Sequence, residues 1–197
     1  MTATQVQSTQ AADGVSTTTL PSPGTYAVDP IHSHVGFVAR HLVASKVRGS
    51  FTEFEGTVVI GETPESSSVR ASVKAPSIVT NQAQRDEHLR SSDFLEVESY
   101  PELTLTSKRV TARGNGHFDL VADLTIKGTT KEIVFDLEFL GTGPGMAPDS
   151  TVVGFEATGS FDRRDLGINF NGVIENGSFV LGNKIELEIA VEAAKTA

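Results

Sequence analysis

The chain has 197 residues, enough for one domain with a substantial core, and it has no Cys. That excludes a disulfide framework, a thiolate metal site and a cysteine nucleophile. The formal net charge of −9 argues against nucleic acid or anionic lipid surfaces as partners.

Residues 1–23 are rich in Thr, Ser and Gln and contain no Lys or Arg. They hold too little apolar surface to fold and read as a flexible tail, bounded by Pro21, Pro23 and Gly24. Removing them is expected to shift the melting temperature little. With no basic start and no apolar h-region this opening is not a secretory signal as written, so a cytoplasmic location is expected. No apolar run approaches the ~18–20 residues of a membrane-spanning helix.

From Thr25 onward the pattern alternates with period 2, the signature of half-buried strands. Strands are expected near 25–29, 33–39 and 51–61. Val69, Ala71, Val73 and Ala75 then alternate with Arg70, Ser72 and Lys74. Residues 84–101 (QRDEHLRSSDFLEVESYP) interrupt this with a short polar helix signal. Asn81 and Gln84 resemble a capping box, Asp86 and Glu87 favour the first turn, and Pro101 closes the segment. A charged helix carrying Arg85, Asp86 and His88 suits the rim of a barrel better than its wall.

Leu103 and Leu105 open the next strand, and Asn115-Gly116 is a strong hairpin signal. Phe118, Leu120, Ala122, Leu124 and Ile126 share one face of the following strand, as do Ile133, Phe135, Leu137 and Phe139 of the next. A Gly/Pro loop over 141–148 leads to Val153, Phe155, Ala157, Gly159 and Phe161. Residues 163–178 are irregular and end in Asn176-Gly177. Ile185, Leu187, Ile189 and Val191 give the last strand its apolar face.

About eight strands with short connections and one apolar face each favour closure. The expected fold is all-β: a lipocalin-like eight-stranded antiparallel barrel over 24–197, with one short helix after the early strands. Small inward residues such as Ala71, Ala122 and Ala157 fit either a cavity or a core in which they complement large partners; spacing alone leaves both open. Eleven Phe against two Tyr and no Trp give apolar aromatic surface with few polar handles, again consistent with either.

Four stretches resemble the YceI-like family: YAVDPIHSHVGFVARHLVASKVRGSFTEFEG (26–56), QRDEHLRSSDFLEVESYPELTLTS (84–107), DLTIKGTTKEIVFD (123–136) and RRDLGINF (163–170). The resemblance spans 25–193. Asp29, His32, Ser33 and Phe37 match the opening D-x-x-H-S-x-x-x-F pattern, and His41, Gly49, Phe51, Phe54 and Gly56 its continuation. Arg85, Asp86, His88, Leu89, Phe94 and Tyr100-Pro101 match the helix motif. Arg164, Asp165 and Gly167 match the late turn, where Leu166 stands in place of an aromatic. The resemblance implies a barrel that binds long polyisoprenoid lipids, or related amphiphiles with quinone-like tails, in an apolar tunnel, without catalysis and without a cofactor. Many members carry a signal peptide and are periplasmic, the alternative location to the cytoplasm; an extracellular one is the other.

On that basis the tunnel is expected to be lined by Phe37, Phe51, Phe54, Leu89 and Phe94. The alternating strands add Ala71, Val73, Leu105, Phe118, Leu120, Leu124, Phe135, Leu137, Phe155, Ala157, Phe161, Leu187 and Ile189. The polar mouth is expected to hold His32, His41, Arg85, Asp86, His88, Arg164 and Asp165. Arg85, Arg163 and Arg164 could meet an anionic head group, or pair instead with Asp86 and Asp165. His32 and His34 at i, i+2 could chelate a metal with His41 and His88, but nothing in the sequence makes them converge, and no metal is expected. No nucleophile elbow or phosphate-binding glycine loop is present, so no catalytic residue is assigned. Partners are therefore expected to be an isoprenoid or quinone-like lipid, with no nucleic acid and no membrane span; a homodimer is left open. The competing function is a stress-response interaction module whose barrel has a solid core and no lipid.

Overall fold

The computed structural model describes residues 21–42, 45–146, 150–172 and 180–196. Residues 1–20 of the tail expected over 1–23 and the Asn176-Gly177 turn lie outside the described residues. Eleven strand segments and one α-helix follow in order: β1 (Gly24–Val28), β2 (His34–His41), β3 (Ser45–Phe51), β4 (Phe54–Ile60), β5 (Ser68–Lys74), β6 (Ile78–Val79), α1 (Ala83–Arg90), β7 (Glu102–Gly114), β8 (His117–Ile126), β9 (Thr129–Pro144), β10 (Thr151–Asp162) and β11 (Leu181–Lys195).

All pairings are antiparallel, and the segments form eight staves. β1 pairs with β4 while β2 pairs with β3, and β4 pairs with β5 while β3 pairs with β6. Thus β1–β2, β3–β4 and β5–β6 are three long staves, each broken in the middle, followed by β7 to β11 unbroken. β11 then pairs with both β1 and β2, which closes a barrel in which each stave lies beside its sequence neighbours. Closure leaves no exposed sheet edge along most of the wall.

Two of the three breaks carry a proline. Pro30 and Pro76 have no N–H to give to a ladder. Backbone groups flanking the breaks find other partners: Thr52 N–H donates to Ser77 O at 3.2 Å, and Lys74 N–H to Glu53 O at 2.9 Å. The single strand expected over 51–61 is therefore two segments, and β3 over 45–51 was not foreseen. Its inward face is only Val47, Gly49 and Phe51. Gly49 is small because the Phe37 ring lies against it: a Cβ there would sit 2.4 Å from Phe37 Cζ.

The helix is shorter than its signal, and the residues after Ser91 form turns. Its N-cap is Gln82, whose side chain accepts from Arg85 N–H, rather than the Asn81/Gln84 pair. Asn81 instead adopts φ 60°, turning the chain from β6 into the helix. The Asn115-Gly116 hairpin forms as expected, with both residues at positive φ.

Period-2 parity places apolar side chains inside. Phe118, Leu120, Leu124, Phe135, Phe155 and Phe161 are buried, and Val58, Val110 and Ile133 join them in the core. Phe135 packs where Gly159 leaves room; a Cβ there would meet its ring at 2.8 Å. Val134 and Leu140 break the polar outer pattern and are exposed on β9. The registers place α1, the β2–β3 connection, the β8–β9 turn and the start of β11 at one end of the barrel. The start of β1, the β4–β5 turn, the Asn115-Gly116 turn and the end of β11 lie at the other. Among the described residues no helix is long and apolar enough to cross a membrane.

Candidate binding cavity

The barrel encloses a cavity of about 710 Å³. Apolar side chains of all eight staves border it, so the small inward residues do more than complement large ones. Each expected tunnel residue is on its wall: Phe37, Phe51, Phe54, Ala71, Val73, Leu89, Phe94, Leu105, Phe118, Leu120, Leu124, Phe135, Leu137, Phe155, Ala157, Phe161, Leu187 and Ile189. The lining reaches both barrel ends, from Ile60 and Pro64 at one to Leu89, Phe94 and Phe170 at the other. Pro21, Ser22 and Pro23 also border it, and Pro21 is buried, so the fold begins slightly before the expected boundary.

The expected polar mouth separates into three places. His41, Arg85 and His88 do border the cavity at the α1 end. Arg85 is held by Thr80: its Nε donates to Thr80 Oγ1 at 2.6 Å and its Nη2 to Thr80 O at 2.8 Å. Asp86 does not face the mouth. It is buried, accepting from Thr80 N–H at 2.8 Å and from the Thr80 hydroxyl, so Thr80 links Arg85 to Asp86 without a direct ion pair. Arg90 ties the other end of α1 to β6 by donating to Pro76 O and Ile78 O, both at 2.7 Å. His88 lies edge-on to Phe94 and Phe170, with ring centroids 5.0 and 4.9 Å away, and its Nε2 is 2.8 Å from Asp93 Oδ2.

Arg164 and Asp165 also depart from expectation. Arg164 turns out to grip Asp162, holding that carboxyl down to about 2, and Asp165 pairs with Lys131 at 2.8 Å. The inward arginine is its neighbour, Arg163. It is 2% exposed and borders the cavity. Its Nη1 donates to Ile168 O and Phe170 O at 2.7 Å each, its Nε to Gly182 O at 3.1 Å, and its Nη2 to Asn183 Oδ1 at 3.3 Å. Burial lowers its pKa, which Asp162 partly opposes. Parity carried the signal: Phe155, Ala157, Gly159 and Phe161 face inward, and the next residue in step is Arg163, not Arg164. Leu166, where the sequence departs from the usual aromatic, is wholly buried.

His32 lies elsewhere, at the break between β1 and β2. There Asp29 N–H donates to Glu192 O at 2.8 Å, and Ser33 Oγ accepts from Glu192 N–H at 3.0 Å while donating to its carbonyl at 3.2 Å. Asp29 Oδ1 accepts from Ile31 N–H, and Oδ2 is 2.8 Å from His32 Nδ1. The D-x-x-H-S stretch thus joins the first and last staves where their ladder is interrupted. Donor atoms of Asp29, His32 and Glu192 lie within 4.8 Å of one another on this partly exposed surface. His34 is not in that group, and the i, i+2 pairing on one strand is absent because β2 begins only at His34.

The hydrogen bond to Asp29 raises the His32 pKa, and the bond from His32 lowers that of Asp29. The raised histidine contributes stability below its ordinary pKa and loses it as pH climbs through the raised value. The lowered carboxyl contributes above its ordinary pKa and loses that as pH falls. In an NMR titration, Asp29→Asn is expected to move the His32 midpoint down towards the usual histidine value. An unchanged midpoint would mean that this bond does not form in solution.

A model of the YceI-like domain matches residues 26–193. A UPF0312 protein of Staphylococcus aureus is 37% identical over 169 residues, covering 85% of this chain and 95% of that protein. Among solved structures, the Campylobacter jejuni YCEI protein superposes with a TM-score of 0.68 at 27% identity, covering 80% of this chain and 90% of the other. A polyisoprenoid binding domain from Saccharophagus degradans, implicated in plant cell wall breakdown, gives 0.64 at 16% identity, covering 87% and 98%; it shares the fold.

Proposed function

This chain belongs to the YceI-like domain family, and from that premise we propose that it is a noncatalytic carrier whose barrel holds the long apolar tail of an isoprenoid-type amphiphile. The observation that carries this reading is the cavity of about 710 Å³, bordered by aliphatic and aromatic side chains of every stave. Each ~100 Å² of tail surface removed from water contributes roughly 2.5 kcal/mol before the costs of ordering are subtracted. The polyisoprenoid-binding neighbour of like fold supports the same ligand class. Storage, transport or protection of the lipid all follow from such a container. The competing reading, an interaction module with a solid core, is disfavoured by the cavity itself.

Filling the lumen tests the proposal. Ala71 borders the cavity in the middle of β5. Ala71→Phe is expected to weaken uptake of a long prenyl alcohol by at least about tenfold while holding or raising the melting temperature, because the ring occupies space the tail needs. Unchanged uptake in a folded variant would place the ligand outside the lumen.

A further inference from the structure

On the outer face of β11 the carboxylates are not all alike. Glu186 pairs with Lys46 and Lys184, and Glu188 with Arg48. Glu192 lies further along the same row and has no Lys or Arg partner among the described residues; the same holds for Asp29 beside it. One imidazole stands between the two. His32 Nδ1 is 2.8 Å from Asp29 Oδ2 and 4.0 Å from Glu192 Oε1, and one donor atom of each residue lies within 4.8 Å of the other two. Two carboxylates and a histidine thus converge with no fixed cation among the described residues to neutralise them.

Hydrogen bonds that do not involve the converging atoms hold the arrangement. Asp29 N–H donates to Glu192 O at 2.8 Å, and Ser33 Oγ bonds both the N–H and the carbonyl of Glu192. Ile31 N–H occupies Asp29 Oδ1, which leaves Oδ2 turned to His32. The spacing suits a small metal ion. Ligand atoms bound at 2.0–2.1 Å to a tetrahedral Zn²⁺ lie roughly 3.3 Å apart, so the two distances to Nδ1 bracket what coordination requires. The three side chains are 30%, 57% and 41% exposed, which leaves a coordination position open to water.

We propose that Asp29, His32 and Glu192 bind a divalent transition-metal ion, best matched by Zn²⁺, which clasps the first stave of the barrel to the last where their ladder is interrupted. An imidazole with two carboxylates is a donor set for such ions, whereas Ca²⁺ and Mg²⁺ take oxygen ligands. On binding, the ion replaces the proton that His32 Nδ1 shares with Asp29, and that proton passes to solvent. The ligands come from the two ends of the folded chain, so an ion held by the closed barrel and not by the unfolded chain stabilises closure. The site lies on the outer surface, and this inference is independent of what the lumen holds.

The experiment strips the full chain with EDTA, desalts it and titrates it with Zn²⁺ by calorimetry, alongside melting curves with and without the ion. His32→Ala and Glu192→Gln are compared with wild type. His117→Ala is the control, because His117 lies beside a carboxylate that Arg113 already holds. The expected result is one Zn²⁺ per chain with a Kd in the micromolar range or tighter. At a free Zn²⁺ concentration about a hundredfold above Kd the melting temperature should rise by roughly 5 °C or more. His32→Ala and Glu192→Gln should each weaken binding by at least about tenfold, and His117→Ala should bind as wild type does. Glu192→Gln keeps the size of the side chain and every backbone bond at the clasp, so it decides the matter if His32→Ala does not fold. Mg²⁺ should bind far more weakly than Zn²⁺. No binding at about 100 μM Zn²⁺ would overturn the site and leave only a hydrogen-bonded surface triad. Binding unchanged in folded Glu192→Gln, or weakened as much in His117→Ala, would overturn it in favour of adventitious capture by surface histidines.

Discussion

Phe135→Asp is expected to abolish the folded barrel, or to lower its stability by more than about 4 kcal/mol. Phe135 is 1% exposed, and its ring fills the space left by Gly159 on the adjacent stave. Removing a buried ring costs about 3–5 kcal/mol by itself. An aspartate there adds a carboxylate facing an apolar wall, with no donor placed to meet it, and must be protonated or drag water inside. Glu188→Lys is the control. Glu188 lies on the outer face of β11, 3.8 Å from Arg48, in an exposed pair of little energetic weight. Its reversal is expected to change stability by less than about 1 kcal/mol. Circular dichroism melts of the two variants report the difference. Similar behaviour of both would mean that the assignment of inner and outer faces is wrong.

Arg163→Ala should be the most damaging substitution among the charged residues, at about 3 kcal/mol or more. The side chain organises the segment between β10 and β11 by holding the carbonyls of Ile168 and Phe170 and connecting them to Gly182 and Asn183 on β11. Without it those acceptors lose their donor, and the Phe170 ring loses the backbone that sets it against His88 and Phe94. Lipid uptake is expected to fall along with stability, because one side of the α1-end mouth loosens. Arg163→Lys should rescue little: a single ammonium cannot span acceptors arranged around a planar fork. Denaturant unfolding of both variants measures this. Arg164→Ala provides the contrast, since Arg164 only grips its neighbour Asp162 on the surface, and a loss as large as that of Arg163→Ala would show that the neighbours' roles are exchanged.

Much of this fold could be read from alternation. The apolar faces of β8 to β11 were each legible because Leu, Ile, Val and Phe stand two apart against charged residues, and Asn115-Gly116 marked its turn through the positive φ both residues adopt. The tunnel residues followed from the same parity together with the family motifs. What escaped the sequence was tertiary. β3 has a weak apolar face because Gly49 yields its place to Phe37, so its inward signal sits on the neighbouring stave. Two of the three stave breaks carry a proline, Pro30 and Pro76, and the third at Thr52-Glu53 carries none; only the pairing shows that each stave resumes beyond its break. His32 and Asp86 look like rim residues by type, yet one joins the closing staves and the other is buried under Thr80. The exchange of Arg163 for Arg164 was recoverable from β10 parity carried one residue past the strand.

The central claim is that the lumen holds the tail of a lipid. Native mass spectrometry of the intact chain, purified without detergent and followed by organic extraction of the same sample, addresses it most directly. The expected result is an adduct of one long-chain isoprenoid-type amphiphile per barrel, released on denaturation and identified in the extract, and reformed when the lipid is returned to wild type but not to Ala71→Phe. A clean mass of the chain alone, with no adduct after incubation with prenyl lipids of any length or head group, would contradict it.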